Sequence, residues 1–223
     1  MKAIILAAGI GSRLGGDKPK CLNKVINSKT IIQHQKEIFR KIGINEVIVV
    51  VGFKKELIME ENDDLLYFYN PAFQKTNTSK SLMRALKVIE RDDVIWINGD
   101  VVLDEEVVEK IYAHPGNVVG VNKNKCSEEE VKYRTNRTGD IIEISKQVIK
   151  AEGEAVGINK ISKNDFNNFY ENLTKCDDND YFEKAIEFSI NNNMRFVPVD
   201  ISEYRCIEID FKEDYENAKR MFK

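Results

Sequence analysis

The sequence predicts an α/β fold: a Rossmann-like mixed, mostly parallel sheet flanked by helices in three layers. Three observations carry that expectation. Strand-length apolar runs rich in β-branched residues occur at 3–6, Val47–Val51 and 94–97. Segments with helical spacing of apolar residues alternate with them across short connections, the βαβ signature. A glycine-rich turn follows the first run directly, as it does where an α/β sheet opens a ligand site at its carboxyl edge.

Each element has a local reason. Ser28 is positioned to cap a helix whose face carries Ile31, Gln35, Ile38 and Ile42, and Gly43 ends it. The strand at Val47–Val51 leads into a polar helix near 54–61 and a strand near 65–69, and Asn70-Pro71 turns the chain. A helix over about 79–90 offers Leu82, Ala85, Leu86 and Ile89 to the core ahead of the apolar run ending at Ile97. Asp104 precedes Glu105 and Glu106 as an N-cap does. Helices near 165–174 and 181–190 are followed by strands at 195–200 and 206–209 and a closing helix reaching Met221. No repeat, low-complexity tract or linker interrupts 1–223. A single domain is expected, with a nucleotide half at about 1–120 and an acceptor half at about 121–223.

Composition narrows the function classes. The chain has 223 residues, 42% hydrophobic and 32% charged, enough for one sizeable α/β core. Its formal net charge of −3 gives no electrostatic reason to expect nucleic acid as a partner. No apolar stretch approaches a membrane span, and the run after Met1-Lys2 is too short for a signal peptide. Cys21, Cys126, Cys176 and Cys206 form no C-x-x-C pair, and with only His34 and His114 beside them a zinc site is disfavoured and a reducing cytoplasm expected.

The most informative segment is Leu6-Ala7-Ala8-Gly9-Ile10-Gly11-Ser12-Arg13-Leu14-Gly15-Gly16-Asp17-Lys18-Pro19-Lys20. Glycines at the end of a buried strand let backbone N–H groups converge on an anion, and Arg13, Lys18 and Lys20 add full charges. Two familiar glycine loops fail on spacing. A dinucleotide fingerprint needs glycine where Leu14 stands, and Val47–Val51 ends in Gly52-Phe53 without the acidic residue that holds a ribose hydroxyl. A P-loop needs Lys-Ser or Lys-Thr after its last glycine, whereas Gly16 leads into Asp17-Lys18-Pro19, and Pro19 disfavours helix at Lys18.

The remaining pattern, L-A-A-G-x-G-S-R-L followed by K-P-K, resembles the nucleotidyltransferases that activate phosphorylated small molecules with a nucleoside triphosphate, the sugar-phosphate and phosphocholine cytidylyltransferase type. The resemblance implies a nucleotide-diphospho-sugar transferase-like fold. It implies that Leu6, Ala7, Ala8, Gly9, Gly11 and Ser12 wrap the triphosphate. Arg13 would meet the outgoing pyrophosphate, and Lys20 would stabilise charge at the α-phosphate. It further implies Mg²⁺ held by Asp100, of Asn98-Gly99-Asp100, and by Asp210, of Ile207-Glu208-Ile209-Asp210. Two carboxylates plus phosphates and waters suit magnesium. Local readings stand beside these: Asp100 as a turn residue and Asp210 as an N-cap.

In related cytidylyltransferases a polar segment such as Thr76-Asn77-Thr78-Ser79-Lys80-Ser81 lines the base pocket, which nominates Thr78, Ser79 and Ser81 for nucleotide contact; a capping box is the alternative. Lys146, Glu154 and Lys160 are nominated for the acceptor, against the alternative of ordinary surface charges. Asp177-Asp178-Asn179-Asp180 lacks the glycine and distal glutamate of a calcium loop. The activity implied is Mg²⁺-dependent transfer from CTP to a small phosphorylated or phosphonate metabolite such as phosphocholine, phosphoethanolamine or aminoethylphosphonate, with pyrophosphate leaving. Three alternatives remain open: a sugar-1-phosphate or inositol phosphate nucleotidylyltransferase, a molybdenum-cofactor-type nucleotidyltransferase, which the short Gly15-Gly16-Asp17 loop resembles, and a nucleotide-binding regulator without turnover.

Overall fold

Five successive apolar residues follow Lys2 in β1 (Lys2–Ala7), which lies fully buried near the middle of the sheet. The computed structural model describes residues 1–15, 17–124, 126 and 130–223; Gly16 of the short glycine loop lies outside them. After β1 a 3-10 turn over Ser12–Leu14 and another over Lys20–Leu22 carry the loop into a hairpin, β2 (Lys24–Ile26) and β3 (Lys29–Thr30). The chain continues through α1 (Ile31–Lys41), β4 (Val47–Val51), α2 (Lys55–Glu61), β5 (Leu66–Tyr69), α3 (Thr78–Val88), β6 (Val94–Asn98), β7 (Val101–Leu103) and α4 (Glu105–Ala113). It closes with β8 (Asn117–Asn122), β9 (Lys132–Thr135), β10 (Ile141–Ser145), β11 (Gly153–Ile161), α5 (Phe166–Lys175), α6 (Phe182–Asn191), β12 (Phe196–Asp200), β13 (Cys206–Glu208) and α7 (Lys212–Met221).

Among the described residues the main sheet has nine strands, with β10-β9-β11-β6-β1-β4-β5 as its path and β8 joining β11 to β12. Pairings of β1 with β4 and β6, and of β4 with β5, are parallel, as expected where helices return the chain. The long strand β11 runs antiparallel to β6, β8 and β9 and so joins the two halves of the sheet. Alternation along β1 divides the core: Ala3 and Ile5 pack with α1, α2 and α4 residues such as Phe39, Ile58 and Ile111, whereas Ile4 and Leu6 pack with Leu82, Phe169 and Phe182 on the opposite face. On that second face Trp96 stacks on Phe169 at 5.2 Å between ring centroids and meets Phe182 edge-on at 5.7 Å.

Three local differences from the sequence expectation matter. Thr30, not Ser28, caps α1, through a reciprocal box in which Thr30 Oγ1 accepts from Gln33 N and Gln33 Oε1 accepts from Thr30 N. Asn27 and Ser28 instead occupy the left-handed region, with φ of 46° and 65°, making the two-residue turn between β2 and β3. The polar Gln35 on the apolar face of α1 is buried, and its Nε2 donates to the carbonyls of Asn98 (2.9 Å) and Val101 (2.7 Å). It therefore pins both sides of the Gly99-Asp100 step. Finally, β13 leaves the main sheet and pairs antiparallel with β7, so the end of the chain returns to the residues that follow β6.

Candidate active site

The carboxyl ends of β1 and β6 open into a cleft of about 340 Å³, lined by the glycine loop, the start of α3, the end of β13 and the start of α6. Leu6, Gly9, Gly11, Ser12, Arg13 and Lys20 form one wall. Gly11 adopts φ of +65°, and a Cβ there would lie 2.7 Å from Lys20 Cγ, so both conformation and space call for glycine beside the lysine stem. Ala7 lines a smaller adjoining cavity of about 110 Å³, together with Gly99 and Asp100. Ala8 lies behind this wall, its carbonyl accepting from Phe53 N–H at 3.1 Å.

Asp100 reaches the cleft because Gly99 keeps the turn against β1: Gly99 N–H donates to Leu6 O at 2.9 Å, and a Cβ on Gly99 would meet that carbonyl at 3.0 Å. Ile209 N–H donates to Asp100 O at 3.0 Å, which sets the following residue, Asp210, alongside. The N-terminal amides ahead of α7 are served by Asp214, whose carboxylate accepts from Asp210 N (3.1 Å) and Phe211 N (2.7 Å). Capping thus falls to Asp214, and the Asp210 carboxylate faces the cleft.

Lys20 joins these acids. Its Nζ lies 2.9 Å from Asp100 Oδ2 and 2.5 Å from Asp210 Oδ1, while Arg13 stands 3.4 Å from Asp210 Oδ2. Burial opposes the charged ammonium, but the two aspartates outweigh it and raise its pKa. A third carboxylate, Glu208, completes the group, and ligand oxygens of Asp100, Glu208 and Asp210 all lie within 4.8 Å of one another. Burial, followed by repulsion from Asp100 and Asp210, lifts the Glu208 carboxyl well above the ordinary range. An all-oxygen, carboxylate-rich set of this kind suits a hard divalent cation. Glu208 was not among the sequence candidates. The signal available was its i, i+2 relation to Asp210 in a β-like run, which places alternate residues on one face.

A second charged group faces the same cleft: Glu130, Lys146, Tyr181 and Glu183, with Val131 among them. Lys146 lies 5.2 Å from the centroid of the Tyr181 ring. Burial pushes the Glu183 carboxyl up to about 7, with Glu130 adding to the rise and Lys146 opposing it. Of these residues the sequence nominated only Lys146. The others carry no spacing signal, because the fold draws them from separate segments.

Several nominated residues are placed elsewhere. Thr78 lines the cleft, as do Asn77 and Asn98, but the Thr78 hydroxyl accepts from Phe182 N–H at 3.1 Å. Ser79 is buried and does not line the cleft: its hydroxyl donates to Asp180 O at 2.6 Å, and its backbone N–H donates to the same carbonyl. Ser81 is buried too, its Oγ accepting from Asn70 Nδ2 at 3.1 Å. Together with Asn77 N–H, which donates to Asp178 O at 2.7 Å, the Thr78 and Ser79 hydroxyls fasten residues 178–182 to the start of α3. Lys18 donates to Leu22 O and takes no part in the wall. Glu154 is buried where β11 runs between β8 and β9, away from the cleft lining. Lys160 sits toward the far end of β11, its ammonium donating to Tyr112 O (3.1 Å) and His114 O (2.6 Å) at the end of α4; burial lowers its pKa. Lys160 is thus engaged by the end of α4, and neither Glu154 nor Lys160 is among the described residues that line the cleft.

The MobA-like NTP transferase domain matches residues 3–152. CTP:phosphoglutamine cytidylyltransferase of Campylobacter jejuni is 32% identical over 254 aligned positions, covering 97% of this chain and 98% of that protein. CMP-5'-(3-aminopropyl)phosphonate synthase of Streptomyces rubellomurinus is 33% identical over 124 positions, covering 52% of this chain but 19% of that larger protein. Among solved structures, CTP:phosphocholine cytidylyltransferase from Streptococcus pneumoniae superposes with a TM-score of 0.82 at 20% identity, covering 100% of this chain and 99% of that one. The inositol-1-phosphate CTP transferase of T. maritima gives 0.80 at 17% identity, with 99% and 95% covered. The likeness to these solved structures shows the fold, a mixed, mostly parallel sheet flanked by helices. By a domain match across most of its length and a full-length relative, the chain belongs to the MobA-like NTP transferase family.

Proposed function

We propose that this protein is a Mg²⁺-dependent cytidylyltransferase that joins CMP from CTP to a small phosphorylated or phosphonate metabolite and releases pyrophosphate. The observation that carries this reading is the meeting of Lys20 with Asp100 and Asp210, with Glu208 beside them, at the mouth of a glycine loop. A loop of backbone amides with Arg13 receives a polyphosphate, and the carboxylate group beside it suits the cation such a ligand brings. The full-length relative named for CTP and phosphoglutamine supports CTP as donor.

Asp100, Glu208 and Asp210 would hold the Mg²⁺, which, when bound, neutralises charge on the triphosphate. A bound metal–triphosphate would give the carboxylates a new partner, and Lys20 would then turn its ammonium toward the α-phosphate. Arg13, more exposed and on the loop, is placed to receive the β- and γ-phosphates. An oxygen of the acceptor phosphate or phosphonate attacks the α-phosphorus in line, and the bond from that phosphorus to the bridging oxygen breaks, its electron pair leaving with pyrophosphate. Because the attacking oxygen is already anionic, no general base is needed, in keeping with the absence of histidine from the cleft lining among the described residues. Alignment and charge neutralisation then supply the catalysis.

Residues 1–120 and 121–223 are read as nucleotide and acceptor halves of one domain. No helix among the described residues is long and apolar enough to cross a membrane, and the free thiols Cys21, Cys126, Cys176 and Cys206 support a cytoplasmic setting. The test is pyrophosphate release with Mg²⁺ and each of CTP, UTP, GTP and ATP, against phosphorylated amines, aminoalkylphosphonates, phosphorylated amino acids and sugar-1-phosphates. Release with CTP and an amine-bearing acceptor supports the proposal. Release only with a sugar phosphate, or only with another nucleotide, contradicts it.

A further inference from the structure

Phe211 breaks a local rule. It occupies the N-cap position of α7, which favours Ser, Thr, Asp or Asn because their side chains accept from the first helical amides. Here Asp214 does that work, its carboxylate taking the Phe211 N–H at 2.7 Å, so the Phe211 side chain serves no helix end. Nor is it hidden: Phe211 is 50% exposed, while Ile209, Ala218 and Phe222 make the buried pack beneath α7. Its ring instead meets the glycine loop. The Arg13 guanidinium carbon lies over it, 5.5 Å from the ring centroid, within the range of a cation–π contact.

We propose that Phe211 is a positioning residue: its ring holds the Arg13 guanidinium ready for the β- and γ-phosphates of the nucleotide and for the departing pyrophosphate, a role that rests on the nucleotidyl-transfer reading above.

Arg13 gains from such a hold. Its side chain is 56% exposed and springs from a single 3-10 turn between Gly11 and Gly15. A long exposed side chain gives up rotamer freedom when it binds an anion, and a contact that fixes it beforehand lowers that cost. Two groups hold it, the Phe211 ring and the Asp210 carboxylate at 3.4 Å. They differ in what they leave free. Asp210 occupies guanidinium donors and is itself one of the proposed cation ligands. The ring attracts the cation through its π face and takes no N–H, so the donors stay available to phosphate oxygens. An aliphatic side chain in its place covers similar surface without that attraction.

The ring is itself anchored. Besides the N–H bound by Asp214, the Phe211 carbonyl accepts from Tyr215 N–H at 3.2 Å. Leu14, next to Arg13, packs in the same cluster as Ile209 and Tyr215. The glycine loop and the start of α7 thus form one packed unit, with Arg13 and Asp210 on its cleft side.

The experiment measures binding of inorganic pyrophosphate with Mg²⁺ by calorimetry, beside steady-state turnover, in Phe211→Leu, Phe211→Tyr, Arg13→Ala and the double variant of Arg13→Ala with Phe211→Leu. Phe211→Leu is expected to weaken pyrophosphate binding and raise CTP KM by about two- to fivefold, the scale of an exposed cation–π contact, and to leave acceptor KM unchanged. Phe211→Tyr keeps the aromatic face and is expected to restore both values. In the Arg13→Ala background Phe211→Leu is expected to add nothing, because the ring has no guanidinium left to hold; general destabilisation would not vanish in this way. Parental pyrophosphate affinity in Phe211→Leu overturns the proposal, as does an equal loss in Phe211→Tyr or an undiminished effect in the Arg13→Ala background. An unaffected Phe211→Leu in a protein that binds CTP and releases pyrophosphate removes the role of the ring alone. Failure of the unaltered protein to bind either CTP or pyrophosphate sinks the nucleotidyl-transfer reading and the role of the ring with it.

Discussion

Lys20 and Asp210 are separated by nearly the whole chain, yet their side chains meet at 2.5 Å. The contact exists because β13 pairs with β7 rather than extending the main sheet, which returns the end of the chain to the glycine loop. The ammonium satisfies both carboxylates here, and on the proposed mechanism a bound metal–triphosphate would separate the same groups into cation ligands and a phosphate-facing lysine.

Lys20→Ala should therefore leave a protein that binds nucleotide but turns it over slowly. By analogy with removal of a single oxyanion donor, the loss is about 2.7–4 kcal/mol of transition-state stabilisation, or roughly 10²–10³ in kcat. Steady-state pyrophosphate release at saturating substrates measures it. Unchanged kcat would remove Lys20 from the chemistry.

Glu208 makes a separate prediction, since it lies beside the two aspartates proposed to hold the cation. Glu208→Gln should raise the Mg²⁺ concentration giving half-maximal rate by roughly 10-fold or more, the scale seen when a group supporting a metal site is altered. Titration of rate with Mg²⁺ at fixed CTP is the readout. An unmoved midpoint would leave Asp100 and Asp210 as the carboxylates that matter.

Ser79 and Lys160 should behave as structural residues of two different kinds. Ser79→Ala removes a hydroxyl that holds Asp180, so a loss of about 1 kcal/mol in stability should accompany a higher acceptor KM and an unchanged CTP KM. Lys160→Met strips a buried ammonium from two carbonyls and should cost about 1–3 kcal/mol in denaturant unfolding while both KM values stay put. If Ser79→Ala instead altered the choice between CTP and UTP, its assignment would return to the nucleotide pocket.

Glu183 also gives stability a pH signature. Its pKa rises from an unfolded value of about 4.3 to about 7 in the fold. Folding thus favours the protonated form: this group imposes no penalty below the unfolded value, and stability falls as pH climbs through the window up to about 7. Glu183→Gln should accordingly raise Tm at pH 8 without added substrate and change it little at pH 4. An equal shift at both pH values would show that the effect comes from packing rather than ionisation.

How much of this was legible in the sequence follows from how local each signal is. The strands at Val47–Val51 and near Trp96 were readable because contiguous apolar residues need no partner to be recognised. The glycine loop was readable because its chemistry lies within fifteen residues, Leu6 to Lys20. By contrast, the turn at Asn27-Ser28 lacks the glycine that usually marks a two-residue hairpin, so the cap shifted unnoticed from Ser28 to Thr30. The role of Gln35 on the apolar face of α1 has no local signal, because its partners, the carbonyls of Asn98 and Val101, lie in other elements. The hydroxyls of Ser79 and Ser81 gave the right polarity for a base pocket, but only the tertiary fold shows that they are already engaged by Asp180 and Asn70. Lys160 is hidden for the same reason: the carbonyls of Tyr112 and His114 that hold its ammonium belong to another part of the chain.

The most direct test is the identity of the products formed from CTP, Mg²⁺ and a phosphorylated or phosphonate amine, followed by ³¹P NMR and mass spectrometry. The predicted result is a CMP-linked acceptor joined through the α-phosphorus, appearing in step with one equivalent of pyrophosphate and lost in Lys20→Ala. Release of inorganic phosphate with CDP, or consumption of CTP without a CMP-linked product, would contradict nucleotidyl transfer at this cleft.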